Sequence, residues 1–363
     1  MKKIKIVHIS ETFVTGVYTY IRDICEYCTQ FDNIESHVIF SDEREETDLS
    51  FIKEDFKDLA SLHVVKMGRE ISLIKDLKSS YNIFKKLKLI KPDVIHLHSS
   101  KASVTGRLAA FIYKKANVYY TPNGYSFLRE DITKNKRKFF WLIENYSQKI
   151  FGGITIACGD TEFEYASKMH DSFLVRNGIE INSLNHINHN QTPPNKIKKI
   201  GTIGRLSPQK NPELFDKIAS LFPNIEFIWI GGGELDELLK SKNINSLGWL
   251  ERKEALKVIS NIDLYIQTSL WEGLPFTIIE AMTLSRPIIA TNVVGNKDAV
   301  DDGINGFLCN NLEDFEKKIN FLLKNPKALK NMGEASRERA ISIFDRDKNF
   351  KALIKIYNGK KLS

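Results

Sequence analysis

The chain has 363 residues, too many for one ordinary core and suited to two domains. Apolar residues make up 42% and charged residues 27%, which excludes wholesale disorder and supports a sizeable core. The 53 basic and 45 acidic side chains leave a net charge of +8, which fits an anionic partner such as a nucleotide, a phospholipid surface or nucleic acid, and equally a plain basic protein.

Lys3–Ile9 is rich in Ile and Val and predicts a strand, followed by a turn with Gly16 and a helix to about Tyr27. Cys25 and Cys28 form a single C-x-x-C in that helix. No second pair matches them at zinc spacing, so they read as ordinary thiols in a reducing compartment. The first apolar run ends at Ile9, too short for a signal peptide, and no segment approaches the ~20 apolar residues of a spanning helix. A cytoplasmic protein is expected, peripheral on the inner face of a membrane if it touches one.

Apolar β-branched runs at His37–Phe40, Val94–Leu97, Val118–Tyr120, Ile154–Ala157 and Phe173–Val175 predict further strands. Helical patterns lie between several of them, notably Ile71–Leu89 and Lys101–Lys115. The lysine-rich Lys75–Lys91 reads as a solvated face. Lys134–Tyr146 reads either as a basic helix lying on an anionic leaflet or as one whose aromatics enter the core. Asn182–Lys199 is polar, contains Pro193 and Pro194, and predicts an interdomain linker. A second series of strands follows at Ile200–Ile203, Ile225–Ile230, Asp263–Gln267 and Pro287–Ala290. From about Leu312 the pattern is helical, broken near Pro326 and near Phe344–Asp345. Short apolar strands alternating with helices predict α/β architecture: two doubly wound, Rossmann-like domains facing across a cleft, with ligands beyond the carboxyl ends of the strands.

Two constellations carry chemistry. GTIGRLSPQKNP, Gly201–Pro212, runs from a strand into a helix, where unpaired N–H groups and the helix dipole favour an anion. Arg205 and Lys210 add charge there, although two loop cations alone decide nothing. LWEGLPFTIIEAM, Leu270–Met282, places Glu272 in a loop, Pro275 near a first helical turn and Glu280 about one turn further in. Carboxylates accept hydrogen bonds from sugar or ribose hydroxyls, and Gly273 permits close backbone approach. His96 and His98 sit at a strand end, where either could face the cleft or be a satisfied structural histidine.

Together with KPDVIHLHSSKA (Lys91–Ala102), RNGIE (Arg176–Glu180), IGGGE (Ile230–Glu234), LGWL (Leu247–Leu250), GNKDAV (Gly295–Val300) and DGINGFL (Asp302–Leu308), these strings resemble glycosyltransferase family 4, the retaining, GT-B-fold group 1 transferases. The resemblance spans nearly the whole chain. It implies an acceptor-side domain over 1–185, joined by a returning helix over 345–363, and a donor domain over 196–344. It implies that Arg205 and Lys210 hold the donor diphosphate, that Glu280 binds the ribose, and that Glu272 with the amides of Gly273, Leu274, Pro275 and Phe276 holds the transferred sugar. Leu250 joins the donor site. Gly16 matches the family's glycine-rich first loop, and His98 and Ser99 fall on the acceptor side. No metal and no cofactor are implied.

One position departs from the family. YTPNGYSF places Asn123 where a histidine is usual, and an amide can bond a hydroxyl but cannot act as a base. The implied activity is retaining transfer of a hexose or N-acetylhexosamine from a nucleotide-diphosphate sugar, UDP-sugar by expectation. The acceptor is a saccharide, lipid-linked in cell-envelope or capsule polysaccharide synthesis. Two alternatives stay open here: a catalytically weak nucleotide- or membrane-binding partner subunit, and a non-hydrolysing sugar-nucleotide epimerase. Nucleic acid is not an expected partner, since no recognised motif accompanies the charge.

Overall fold

A computed structural model describes residues 3–44, 47–68, 70, 72–129, 131–184 and 193–359. They form two compact units, one running to Val175 and resuming at Phe350, the other covering Arg176–Asn349.

The first unit carries strands β1 (Ile4–Ser10), β2 (Ile34–Phe40), β3 (Ser61–Val64), β4 (Val94–His98), β5 (Asn117–Thr121), β6 (Ile154–Ala157) and β7 (Ser172–Leu174). Its helices are α1 (Thr15–Cys28), α2 (Leu49–Asp55), α3 (Leu73–Ile90), α4 (Ser99–Tyr113), α5 (Lys134–Phe151) and α6 (Asp160–Met169). The strands pair in parallel in the order β3-β2-β1-β4-β5-β6-β7. Helices cover both faces, so the central strands are buried on both sides; Ile6, Val7, His8 and Ile9 have no exposed surface. In α1, Tyr20, Ile21, Ile24, Cys25 and Cys28 recur at helical spacing and enter the core. Both cysteines are free and buried, and burial pushes the Cys28 thiol up to about 12, so neither is poised as a thiolate ligand.

The second unit carries α7 (Ile181–Leu184), β8 (Lys199–Ile203), α8 (Pro212–Leu221), β9 (Glu226–Ile230), β10 (Ile244–Ser246), α9 (Arg252–Ile259) and β11 (Leu264–Gln267). It continues through α10 (Phe276–Thr283), β12 (Ile288–Thr291), α11 (Asn296–Ala299), β13 (Gly306–Cys309), α12 (Leu312–Lys324) and α13 (Pro326–Ile343). This sheet is also parallel, in the order β10-β9-β8-β11-β12-β13. Phe215 of α8 packs edge-on against Phe227 and Trp229 of β9 at 5.6 and 5.0 Å, fixing the helix on the sheet.

The last helix, α14 (Arg346–Tyr357), begins in the second unit and belongs to the first from Phe350 on. Tyr119 Oη donates to Ile356 O at 2.9 Å, and Phe350 packs edge-on against Tyr20 and Tyr27. Arg176–Ile179 belongs with the second unit rather than with 1–185. Its backbone is tied to Phe344 and to the first turn of α14: Ile179 N donates to Phe344 O at 3.0 Å, Arg346 N to Ile179 O at 3.0 Å, and Asn349 Nδ2 to Arg176 O at 3.0 Å. Of the expected linker, 185–192 lies outside the described residues, as do Ile71 and 360–363.

Three strands have no counterpart in the sequence reading: β3, β10 and β13. All are outermost in their sheets, three or four residues long, and begin with Ser, Ile before Asn, or Gly. β3 and β10 bury no residue fully, so no continuous apolar run is needed there, whereas β13 is largely buried and is obscured in the sequence by its shortness and its opening Gly306.

Candidate active site

In the second unit the chain order reverses at β8. The connection after β8 leads to β9 on one side, and β11 lies on the other. The loops leaving β8 and β11 therefore part at the carboxyl ends of their strands and leave a crevice, the usual ligand position of an open α/β sheet. The β8 loop carries Arg205 and Lys210, and the β11 loop carries Glu272. Lys210 Nζ donates to Glu272 Oε1 at 2.5 Å, with their side chains 17% and 8% exposed. Gln267 Nε2 at 2.8 Å and Ser269 Oγ at 2.7 Å donate to the same oxygen. Among the described residues, Glu272 Oε2 carries only the long 3.5 Å contact from Gln209 Nε2. Thr268 Oγ1 donates to Lys210 O at 2.7 Å, and Leu270 N to Gln209 O at 2.8 Å, so the two loops are stitched by backbone as well as by side chains. Arg205 is half-buried in the same β8 loop.

Glu280, the fifth residue of α10, is buried, and its Oε1 accepts from Arg252 Nε at 2.7 Å. The first N–H groups of α10 follow Glu272 directly and have no preceding turn to bond to. Their approach depends on Gly295. At φ +85° it lies so close beneath the β11 loop that a Cβ would stand 2.2 Å from Gly273 O and 2.8 Å from Glu272 Cβ. Gly295→Ala is expected to push Glu272 out of place. Weaker nucleotide binding by calorimetry and a lower thermal midpoint would register it; unchanged values for both would show that the loop tolerates the shift. Gly231 plays the matching part under the β8 loop, since at φ +123° its Cβ would stand 2.3 Å from Gly204 O. Trp249 is 65% exposed, its indole lies against Gly232, and Leu250 beside it is half-buried.

In the first unit the order reverses between β1 and β4. The residues leaving β1, β4 and β5 include three non-glycine residues with left-handed backbone: Thr15 (φ +50°), Ser99 (φ +70°) and Asn123 (φ +53°). Each such residue costs about 1–3 kcal/mol, and such strain gathers at ligand sites. Gly16 itself lies in the first turn of α1, and the unusual backbone belongs to Thr15 before it. Ser99 Oγ is buried without a hydrogen-bond partner. Asn123 is half-buried, its Nδ2 donates to Thr121 O at 3.4 Å, and Gly124 N donates to Glu162 behind it.

His98 does not join this crest. It has no exposed surface, because residues 8, 96 and 98 share the sheet face that α1 and α14 cover. His8 Nδ1 and His98 Nε2 share a hydrogen bond of 3.0 Å, His96 Nδ1 meets Tyr357 Oη at 2.6 Å, and His96 Nε2 meets Thr121 Oγ1 at 2.8 Å. Burial lowers all three rings well below the ordinary value of 6.5, His8 to about 3, so they are neutral core groups. Among the described residues they are the group whose ligand atoms lie close enough for a metal, within 4.8 Å. Both nitrogens of His96 are already bonded, however, and the remaining close contact is ring to ring.

Residues 185–339 match the family described as Glycosyl transferases group 1. The UDP-Gal:alpha-D-GlcNAc-diphosphoundecaprenol alpha-1,3-galactosyltransferase of Escherichia coli is 30% identical over 310 residues, covering 76% of this chain and 78% of that protein. The chain belongs to the group 1 glycosyl transferases. The capsular polysaccharide biosynthesis glycosyltransferase CapM of Staphylococcus aureus is 24% identical over 361 residues, 90% of each chain. Anabaena Alr3699/HepE in complex with UDP and glucose has the same fold, with a TM-score of 0.76 at 18% identity, covering 98% of this chain and all of that one. The fold is thus GT-B, and this glycosyltransferase is an enzyme.

Three side chains in this crevice of the transferase were not singled out in its sequence. Gln267 and Ser269 fix Glu272 Oε1, and Arg252 fixes Glu280 Oε1. Gln267 left a trace, as the polar end of an otherwise apolar strand. Arg252, 28 residues before Glu280, left none.

Proposed function

We propose that this transferase moves a hexose or N-acetylhexosamine from a UDP-sugar to a saccharide carried on a lipid diphosphate, with retention at the anomeric carbon, in cell-envelope polysaccharide synthesis. The observation that carries the reading is the Lys210–Glu272 pair at the β8/β11 crevice. Its ammonium has two N–H donors left for phosphate oxygens, and its carboxylate has Oε2 left for a sugar hydroxyl. The diphosphate would lie against Arg205, Lys210 and the N–H groups that open α10, where charge developing on the leaving group is stabilised. Glu280, aligned by Arg252, would take the ribose hydroxyls, and Leu250 with exposed Trp249 would border the base.

In this reading the bond from the anomeric carbon to the β-phosphate oxygen breaks while the bond to the acceptor oxygen forms on the same face. The acceptor proton passes to the leaving phosphate, so no side-chain base is required and Asn123 suffices where it stands. Its amide, with Ser99 and the residues around Gly16, would position the acceptor. Metal is not required, because the cations and N–H groups already oppose the diphosphate charge. Support comes from the names of similar proteins: the Escherichia coli relative takes UDP-Gal and a diphosphoundecaprenol-linked sugar, the Staphylococcus aureus relative makes capsule, and one structural neighbour holds UDP.

The test is a panel of nucleotide sugars scored by UDP release in chelator, with and without lipid-diphosphate saccharides, and with the product's anomeric configuration read by NMR. Acceptor-dependent release with retained configuration is expected. Release from no sugar, or an inverted product, would sink the reading.

A further inference from the structure

The basic excess of the chain is not spread over it. Helices α3, α4 and α5 pack side by side with α4 in the middle. Between them they hold twelve basic residues: five lysines on α3, Lys101 and Arg107 on α4, four lysines and Arg137 on α5. They hold two acidic residues, and neither is exposed. Asp76 pairs with Lys101 at 2.6 Å, and Glu144 is buried against Tyr120. This layer alone exceeds the net charge of the whole chain, +8. It also carries eleven of the twenty-one large apolar side chains exposed among the described residues.

On α3 the two features coincide. At about 100° per residue, Leu73, Ile74, Leu77, Tyr81 and Leu89 fall with Lys78, Lys85 and Lys88 in one arc of about 160°. Opposite it, Ser79, Ile83, Leu87 and Ile90 are buried. The five apolar side chains are 76, 82, 51, 56 and 76% exposed. A solvated face, the reading that lysine content alone suggests, does not present Leu73, Ile74 and Leu77 to water together. An apolar stripe flanked by lysines and free of exposed carboxylates complements a surface that is greasy below and negative above.

We propose that the α3–α5 layer, with the α3 stripe as its apolar contact, docks this transferase on an anionic phospholipid bilayer. The stripe enters the headgroup boundary, and Lys75, Lys78, Lys85 and Lys88 face lipid phosphates. The proposal rests on the reading above only in so far as a lipid-linked acceptor makes a membrane useful.

The experiment is flotation of the full chain with vesicles of phosphatidylglycerol and phosphatidylcholine, or of phosphatidylcholine alone, at low and high salt, without donor or acceptor. A failed transferase assay therefore leaves the docking result standing, and the reverse. Binding to the anionic vesicles that weakens with salt is expected. Lys78→Ala/Lys85→Ala/Lys88→Ala is expected to lower partitioning about fivefold per lysine, from about 1 kcal/mol each. Leu73→Ser/Ile74→Ser/Leu77→Ser is expected to lower it at least about tenfold. Both triple variants alter exposed positions, and an unchanged thermal midpoint and UDP affinity will confirm their folding. Equal binding to both vesicles, or binding that neither variant alters, overturns the proposal. So does a dimer in light scattering that the serine variant converts to monomer, since the stripe would then belong to a second copy.

Discussion

Lys210→Met is expected to lower kcat/KM by about 10²–10³-fold, the range for losing one preorganised group that stabilises transition-state charge. The same substitution is expected to lower stability, because Glu272 Oε1 is left buried with two donors instead of three. The two effects separate in a double variant. Lys210→Met/Glu272→Gln removes the uncompensated charge while an amide oxygen still accepts from Ser269 and Gln267. Its thermal midpoint should recover toward that of the unmodified protein, and its kcat/KM should not. If rate recovers along with stability, Lys210 acts by holding the loop and the proposed contact with the diphosphate is wrong. The recovery test matters because the pair bridges positions 62 residues apart, and a merely structural clamp would look the same in a single variant.

Acidification is expected to destabilise the first unit steeply below about pH 6.5. In the unfolded chain His8, His96 and His98 take up protons near their ordinary value; in the folded chain burial holds His8 to about 3 and the other two well below 6.5. Below pH 6.5 the unfolded state thus binds more protons than the folded one, and stability falls as pH falls. Each ring that stays neutral contributes a slope of about 1.4 kcal/mol per pH unit. His37 and His63 are lowered in the same direction and add to the trend, so the cluster's share is read by difference. His8→Gln is expected to flatten the dependence of unfolding free energy on pH by about one proton between pH 4.5 and 6, a range bounded by the shift of His8. An unchanged slope would mean that His8 already carries a proton in the folded state. Because Tyr357 bonds to His96, hydrogen exchange in α14 should rise early in the acid range.

Much of this protein was legible without coordinates. Parallel strands buried on both faces must be continuous apolar runs, so β1, β4, β8 and β11 announced themselves, and breaks near Pro326 and Phe344–Asp345 divided the last three helices because proline and the loss of periodicity interrupt a helix locally. The motif strings around Arg205, Lys210, Glu272 and Glu280 were legible for the same reason: each is a single strand–loop–helix segment, and its chemistry lies within a dozen residues. What only the tertiary structure decided are the relations between segments. That Lys210 grips Glu272, that Gln267 and Ser269 share the same oxygen, and that Arg252 holds Glu280 follow from which strands are neighbours, and crossover topology sets that order. Alternation along β4 could place His98 on a face but not say what covers it; α1 and α14 do, which makes it a neutral core group instead of an acceptor contact. Helical periodicity likewise located α3, but only packing against α4 fixed which arc turned inward, leaving leucines as well as lysines facing out.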